Sequence, residues 1–224
     1  MNHWLSRGAD GWRLDAAYAV PESFWAQVLP RVRQAHPDAW FVAEVIHGDY
    51  AAFVDGSGGV DSVTQYELWK AIWSSLNDGN FHELDWALQR HNDFLSRFAP
   101  LTFVGNHDVT RIASKLERPP EQVAHALVLL FTTGGVPPSI YAGDELGYRG
   151  VKEERAGGDD AVRPEFGTPP VPLDAAGGRE AWNLHQYLIG LRRRNSWLFD
   201  AKKQLRCNWT TAGTPTRPAA VTRR

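Results

Sequence analysis

Three short apolar runs that each end in a carboxylate constrain the fold of this chain more than any other feature. They are GWRLD at 11–15, WFVAE at 40–44 and FVGNHD at 103–108. A buried parallel strand that delivers an acid to the rim of a sheet has this pattern. Clustered carboxylates repel one another and are costly to desolvate, so a fold that gathers them usually uses them. The sequence therefore predicts that Asp15, Glu44 and Asp108 meet at one site.

Length, charge and cysteine content exclude several classes of protein. The 224 residues suffice for one large domain with a hydrophobic core. The formal net charge of -2 argues against a nucleic-acid binder, because no basic field is present to hold phosphates. Cys207 is the only cysteine, which excludes an internal disulfide and a cysteine-based metal site. No apolar run has transmembrane length and the first eleven residues lack a signal-peptide core, so we expect no membrane contact and a cytoplasmic location.

Strand-like and helix-like segments alternate along the chain with the spacing of βα units. Strands are predicted at 11–15, 40–44, 62–66, 101–105 and 139–141. Helices are predicted at 1–7, 21–36, 49–53, 68–76, 83–98, 120–131 and 179–194. An eight-stranded barrel and a doubly wound sheet both place a site at the carboxyl ends of such strands. The alternation alone does not choose between these two α/β folds.

Glycine and proline mark the limits of these segments. Gly8 fits the end of the first helix, and Pro30 is expected to kink or break the second. Residues 151–178 hold many Gly, Pro and Asp and are interpreted as a long loop. Residues 202–224 show no periodicity and are predicted to be disordered or poorly packed. The predicted organisation is a domain over 1–201 followed by an aberrant tail over 202–224.

At these motifs the sequence resembles the α-amylase family of retaining glycoside hydrolases. The segments that carry the resemblance are GWRLDAAYAV at 11–20, FVAEV at 41–45, FVGNHD at 103–108 and GGVPPSIYAGDELG at 134–147. They are similar to the family's motifs of the fourth, fifth and seventh barrel strands and to its eighth strand with the following loop. Their order and spacing also fit the family over roughly residues 1–201.

The resemblance implies a partial (β/α)8 barrel of five βα units, numbers four to eight, truncated at the N-terminus and lacking the C-terminal β domain. It implies a glycosidase of carbohydrate metabolism that acts on α-glucosidic bonds of an α-glucan or maltooligosaccharide. A transglycosylase or isomerase of the same family, a non-catalytic relative and an inactive truncated product stay open as alternatives. The fragment alone is expected to be inactive.

The resemblance also implies roles for the site residues. Asp15 corresponds to the nucleophile and Glu44 to the general acid/base, with Asp108 as the third catalytic carboxylate. Substrate binding is expected from Arg13, Tyr18, Asn106 and His107. Taken singly, these residues have simpler interpretations, such as turn or helix-cap acids and a structural histidine. Their joint occurrence in the family's order favours the site.

No cofactor is expected. The eight histidines show no pair at ligand spacing on one clear helix face, which argues against a metal site. Tyr18-Ala19 stands where many α-amylases carry Lys-His, so the usual calcium site of starch-digesting members is not supported. The sequence leaves the oligomeric state open.

Overall fold

A parallel sheet forms the part of the fold that carries the three carboxylate motifs. The computed structural model describes residues 1–163 and 178–202. Its sheet has the order β1-β2-β3, with β1 at Gly11–Leu14, β2 at Trp40–Ala43 and β3 at Ser62–Val63. Both pairings are parallel, with Arg13 opposite Val42 and Val42 opposite Ser62. Parallel strands bring their carboxyl ends to one edge, which is where the predicted site residues follow.

The third, fourth and fifth predicted strands are shorter than expected. The predicted strand at 62–66 ends at Val63, because the chain turns into a helix at Tyr66. The predicted strands at 101–105 and 139–141 contribute only single parallel bridges, Thr64 to Leu101 and Phe103 to Ser139. Prolines directly precede both segments, at Pro100 and at Pro137-Pro138, and proline has no N–H to donate to a ladder.

Helices follow the strand segments, as the sequence predicts. They are α1 Asn2–Leu5, α2 Glu22–Ala35, α3 Tyr50–Gly56, α4 Tyr66–Asp78, α5 His82–Phe94, α6 Ile112–Lys115, α7 Glu121–Thr132 and α8 Gly178–Arg194. The chain leaves α1 through Gly8, whose φ is +102°, while Ala9 N–H donates to the Trp4 carbonyl at 3.1 Å. This pattern closes a helix end with glycine in the left-handed region.

The sequence predicts a kink or a break at Pro30, and α2 does not break there, because it continues through Pro30 to Ala35. A proline removes one intrahelical hydrogen bond, a loss that tertiary packing of the helix offsets. Trp25, Leu29 and Val32 supply that packing, since all three are buried on the side of α2 that faces the sheet core. The other long helices begin and end within a few residues of their predicted bounds. The largest difference is in α5, which ends at Phe94 rather than at the predicted residue 98.

Three apolar clusters hold the described residues together, and two of them are large, the smallest being Tyr66, Phe103 and Val109. One large cluster lies around the strands, where Phe41 and Val63 pack with Leu29 of α2. The other large cluster lies among the later helices and includes Ile72 of α4 and Leu127 of α7. Burial of such side chains contributes about 1.5–3 kcal/mol each relative to exposure. The sheet is thereby fixed against α2 and α3, and the later bridges against α4 and α7.

The long loop predicted at 151–178 is described only to residue 163, where it contains a 3-10 turn at Asp160–Val162, and at Gly178, which already belongs to α8. The predicted tail lies outside the described residues from 203 onward. Within the described part of the chain, no helix is long and apolar enough to cross a membrane. The cytoplasmic location stays a prediction.

The close approach of β1 to β2 gives a first test of the fold. A Cβ placed on Gly11 would overlap the backbone carbonyl of Trp40, which has no freedom to move away. We therefore expect Gly11→Ala to lower the free energy of unfolding by about 1–3 kcal/mol, the usual cost of overpacking. Chemical denaturation followed by circular dichroism measures the change.

Gly190 in α8 provides the matched control for this substitution. A Cβ there would meet only the flexible end of Arg194, at 2.9 Å, and alanine favours the helix by about 1 kcal/mol over glycine. Gly190→Ala should thus leave the protein as stable or slightly more stable. Equal stability of Gly11→Ala and the parent protein would contradict the described spacing of β1 and β2.

Candidate active site

Arg13 joins the two carboxylates that follow β1 and β2. Its Nη1 lies 2.5 Å from Asp15 Oδ1, and its Nη2 lies 2.7 Å from Glu44 Oε1. A guanidinium suits this position because its N–H donors lie in one plane and point in fixed, different directions. The structure therefore brings Arg13, Asp15 and Glu44 into one hydrogen-bonded group at the carboxyl edge of the sheet.

The two carboxylates of this group have different surroundings. The side chain of Asp15 is 76% exposed, whereas that of Glu44 is 7% exposed. Glu44 Oε2 also accepts the backbone N–H of Ala16 at 2.8 Å. Ala16 has a φ of +43°, an uncommon value for a residue other than glycine, and this conformation accompanies the bond to Glu44. Two carboxyl groups in such unlike environments are suited to different chemical roles.

Tyr66 links this group to the third motif, and the sequence interpretation did not include it in the site. Its hydroxyl donates to Glu44 Oε1 at 3.4 Å and accepts from Asn106 Nδ2 at 2.8 Å. Burial raises the pKa of Tyr66 to about 12, and the negative charges of Glu44 and Asp108 act in the same direction. The hydroxyl therefore stays protonated at neutral pH. The sequence signal for Tyr66 was its place at the end of the third predicted strand, 62–66, which lies beside the strand that leads to Glu44.

The third motif forms a tight turn. Asn106 Oδ1 accepts the backbone N–H of Asp108 at 2.9 Å, and His107 Nε2 lies 3.1 Å from Asp108 Oδ2. The capping interpretation of Asn106 and Asp108 does not apply, since α6 begins at Ile112 with Arg111 in the cap position. Asn106 instead orients the turn and reaches Tyr66 with its amide group.

Arg163 is a second residue that the sequence interpretation missed. Its Nη2 lies 3.1 Å from Asp108 Oδ1 and 2.7 Å from Asp159 Oδ2, and its Nε donates to the His107 carbonyl at 3.1 Å. Arg163 belongs to the predicted long loop, and no motif marks it. Its approach to Asp108 depends on the path of that loop in three dimensions.

Tyr18 lies at the rim of the group, as its position shortly after Asp15 suggests. Its side chain is exposed, and its ring lies 5.5 Å from the His47 ring, centroid to centroid. Its backbone N–H donates to the Glu44 carbonyl at 3.4 Å. An exposed aromatic ring next to a carboxylate group offers a flat apolar surface to a ligand.

The arrangement supports a defined kind of chemistry. An exposed carboxylate can attack an electrophilic carbon, and a second, buried carboxyl group beside it can exchange a proton with the leaving or entering oxygen. Across residues 1–163 and 178–202, no group of three or more His, Cys, Asp or Glu side chains is placed to hold a metal ion.

The chain is similar to several proteins of one family. The family model for "Alpha amylase, catalytic domain" matches residues 1–212. A cyclomaltodextrinase of Thermoanaerobacter pseudethanolicus is 28% identical over 203 residues, which covers 88% of this chain and 33% of that protein. A 4-alpha-glucanotransferase of Thermotoga neapolitana is 30% identical over 162 residues, or 66% of this chain and 34% of that protein.

A solved structure agrees in fold. The cyclic alpha-maltosyl-(1→6)-maltose hydrolase from Arthrobacter globiformis, in complex with cyclic alpha-maltosyl-(1→6)-maltose, superposes with a TM-score of 0.73 at 21% identity, covering 90% of this chain and 44% of that chain. The chain spans about a third of the length of the curated relatives that it matches. Because the catalytic-domain model matches nearly the whole chain, the protein belongs to the α-amylase family of glycoside hydrolases.

Proposed function

We propose that this site is that of a retaining glycosidase acting on α-glucosidic bonds of oligo- or polysaccharides. The observation that carries the proposal is the contact of one guanidinium, that of Arg13, with both Asp15 and Glu44. Retaining glycosidases work with two carboxyl groups about 5–5.5 Å apart, one as nucleophile and one as acid/base. Two carboxylates bound to the same guanidinium are compatible with that close spacing.

In the first step the Asp15 carboxylate attacks the anomeric carbon while Glu44 gives its proton to the leaving oxygen. The glycosidic bond breaks and an ester between the sugar and Asp15 forms. In the second step Glu44 takes a proton from water, and the water oxygen attacks the anomeric carbon and releases Asp15. The exposed position of Asp15 suits the nucleophile, which must reach the sugar, and the buried position of Glu44 suits the acid.

Arg13 has to serve both steps. Its guanidinium contacts Asp15 and Glu44 at the same time, so it lies next to both the proposed nucleophile and the proposed acid/base. The Tyr66 hydroxyl and the Ala16 N–H also donate to Glu44 and help to hold its carboxyl group in place.

The remaining residues form the proposed sugar-binding part of the site. Asp108 and His107 hydrogen-bond sugar hydroxyls, Asn106 keeps their turn in place, and Tyr18 stacks on a sugar ring. The strand segments correspond in this proposal to units four to eight of the family's barrel. Retaining chemistry by two carboxyl groups needs no cofactor.

Transfer of a glycosyl group to another sugar is a second candidate function. The similarity to the 4-alpha-glucanotransferase of Thermotoga neapolitana favours it. Hydrolysis and transfer share the first step and differ in whether water or a sugar hydroxyl attacks the glycosyl ester.

Substitution of the two carboxyl groups tests the assignment of roles. With this chain placed in a complete (β/α)8 barrel of the family, Asp15→Asn should reduce turnover of maltohexaose by at least about a thousandfold, the scale expected when a nucleophile is removed. Glu44→Gln should still form the glycosyl ester with α-glucosyl fluoride, because fluoride leaves without a proton. Mass spectrometry of the intact protein should detect the added glucosyl group on the Glu44→Gln variant.

Asp10→Asn is the matched control, since Asp10 is an exposed acid that precedes β1 and contributes only its backbone carbonyl to the sheet. It should keep the activity of the parent protein. Substantial turnover by Asp15→Asn would contradict the nucleophile assignment. No turnover by the parent sequence in the complete barrel would favour the non-catalytic alternative.

The configuration of the released sugar tests the two-step mechanism separately. Two successive inversions at one carbon give net retention, so the first product should be the α anomer. Proton NMR recorded within the first minutes of reaction, before mutarotation, distinguishes the anomers. Early appearance of the β anomer would mean a single displacement by water, without an ester on Asp15.

The products of a longer reaction separate hydrolysis from transfer. With maltotriose alone, hydrolysis should give glucose and maltose, and we expect these products to predominate because Asp15 is open to solvent. Chromatography of the sugars would reveal transfer as oligosaccharides longer than the substrate. Predominance of such longer products would replace the hydrolase proposal by the glucanotransferase one.

A further inference from the structure

Arg111 is the most deeply buried arginine that the structure describes, and the proposed reaction does not use it. Its side chain is 1% exposed and forms an ion pair with Asp144, 2% exposed, at 2.8 Å. Nη1 also donates to the Ala142 carbonyl at 2.7 Å, and the guanidinium stacks on the Tyr141 ring with 4.1 Å to its centroid. Arg111 thereby holds the segment that follows the bridge residue Ser139.

Arg111 also holds a second segment. Its Nε donates to the Val162 carbonyl at 3.1 Å, and its backbone N–H donates to the Gly150 carbonyl at 3.0 Å. These bonds fix both ends of the stretch from 150 to 162. Arg163 comes directly after that stretch, and it is the residue that contacts Asp108 and the His107 carbonyl.

Asp144 contributes a contact of its own beneath the third motif. Its Oδ2 packs against Gly105, where a side chain would leave no room for it. Gly105 directly precedes Asn106, so the buried ion pair lies against the base of the turn that carries Asp108. Burial raises the pKa of Asp144 to about 6, and the ion pair with Arg111 opposes the rise. A carboxylate in this position needs the guanidinium close to it.

We propose that Arg111 is a positioning residue, which fixes the segment ending at Arg163 so that Arg163 holds the Asp108 carboxylate beside His107. The proposal rests on the proposed function only in the role it gives Asp108. A purely structural role for Arg111 would stabilise the fold without restricting Asp108. The direct bond from Arg111 to Val162, next to Arg163, favours positioning.

Amide hydrogen exchange measured by NMR on the intact protein tests the linkage without any sugar. The reporter is the Asp108 N–H, which bonds to Asn106 Oδ1. In Arg163→Gln this amide should exchange at least about tenfold faster, the effect expected from losing a charged hydrogen bond. The Arg111 amide, bonded to Gly150, should keep its protection in that variant.

Arg111→Lys tests the buried end of the linkage. Lysine keeps a positive charge near Asp144 but lacks the planar fork that reaches the Ala142 and Val162 carbonyls together. We expect faster exchange of the Asp108 amide in this variant as well. Arg155→Gln is the control, because Arg155 lies on the same segment but its side chain bonds to Glu153 and to the Ala156 carbonyl, away from the Asp108 turn. In Arg155→Gln the Asp108 N–H should exchange at the same rate as in the parent protein.

Several results would overturn the proposal. Unchanged exchange at Asp108 in Arg163→Gln would show that Arg163 does not hold the turn. A lower melting temperature of Arg111→Lys with unchanged exchange at Asp108 would assign Arg111 a structural role. If Arg111→Lys does not fold, hydrogen exchange of the parent protein at increasing denaturant concentrations tests the proposal instead. The Arg111 Nε–H and the Asp108 N–H should then become exchangeable in one opening, and independent openings would contradict the linkage.

Activity measurements separate this proposal from the proposed function. If the parent protein turns over maltohexaose, Arg163→Gln should lower kcat/KM by about tenfold through a less ordered Asp108, whereas Arg155→Gln should not. If the parent sequence is inactive even in a complete barrel of the family, the proposed function fails, and the exchange measurements still decide whether Arg111 positions Asp108.

Discussion

The parallel pairing of β1 with β2 is the constraint on which the candidate site depends. The ladder continues beyond the last strand residues, since Glu44 N–H donates to the Leu14 carbonyl at 2.9 Å. This bond places the backbone of Glu44 next to the start of the turn that carries Asp15. A shift of one residue in register would move every side chain of β2 to the opposite face. Glu44 would then lose Arg13, and the site would not form.

Electrostatics explains how the Glu44 side chain can be buried at this site. Glu44 is buried, and a buried carboxylate without partners is strongly destabilising. Arg13, the Ala16 N–H and the Tyr66 hydroxyl supply three donors to its two oxygens. Asp15 needs no such support, because it lies in solvent. The same guanidinium that makes the burial of Glu44 tolerable thus also fixes the distance between the two carboxylates.

The parts of the site that the sequence predicted are those decided by local pattern. Apolar runs that end in Asp15 and Glu44 specify buried strands, and parallel pairing then brings their ends together. Tyr66 was placed in a strand because the position where a helix begins is not evident from an apolar run. Arg163 could not be predicted, since its contact with Asp108 depends on the path of a loop. The break expected at Pro30 did not occur, because burial of Leu29 and its neighbours outweighs one lost hydrogen bond.

The two halves of the site consequently rest on different physical supports. Asp15 and Glu44 are held by a continuous backbone ladder within a packed apolar cluster. Asp108 is held by side chains, through Asn106 within the turn and through Arg163 from the segment anchored on Arg111. Side-chain bonds at a partly exposed loop open more readily than a strand ladder in a core. The Asp108 turn is therefore the part of the site that opens more readily, while the backbone ladder keeps Asp15 and Glu44 next to each other.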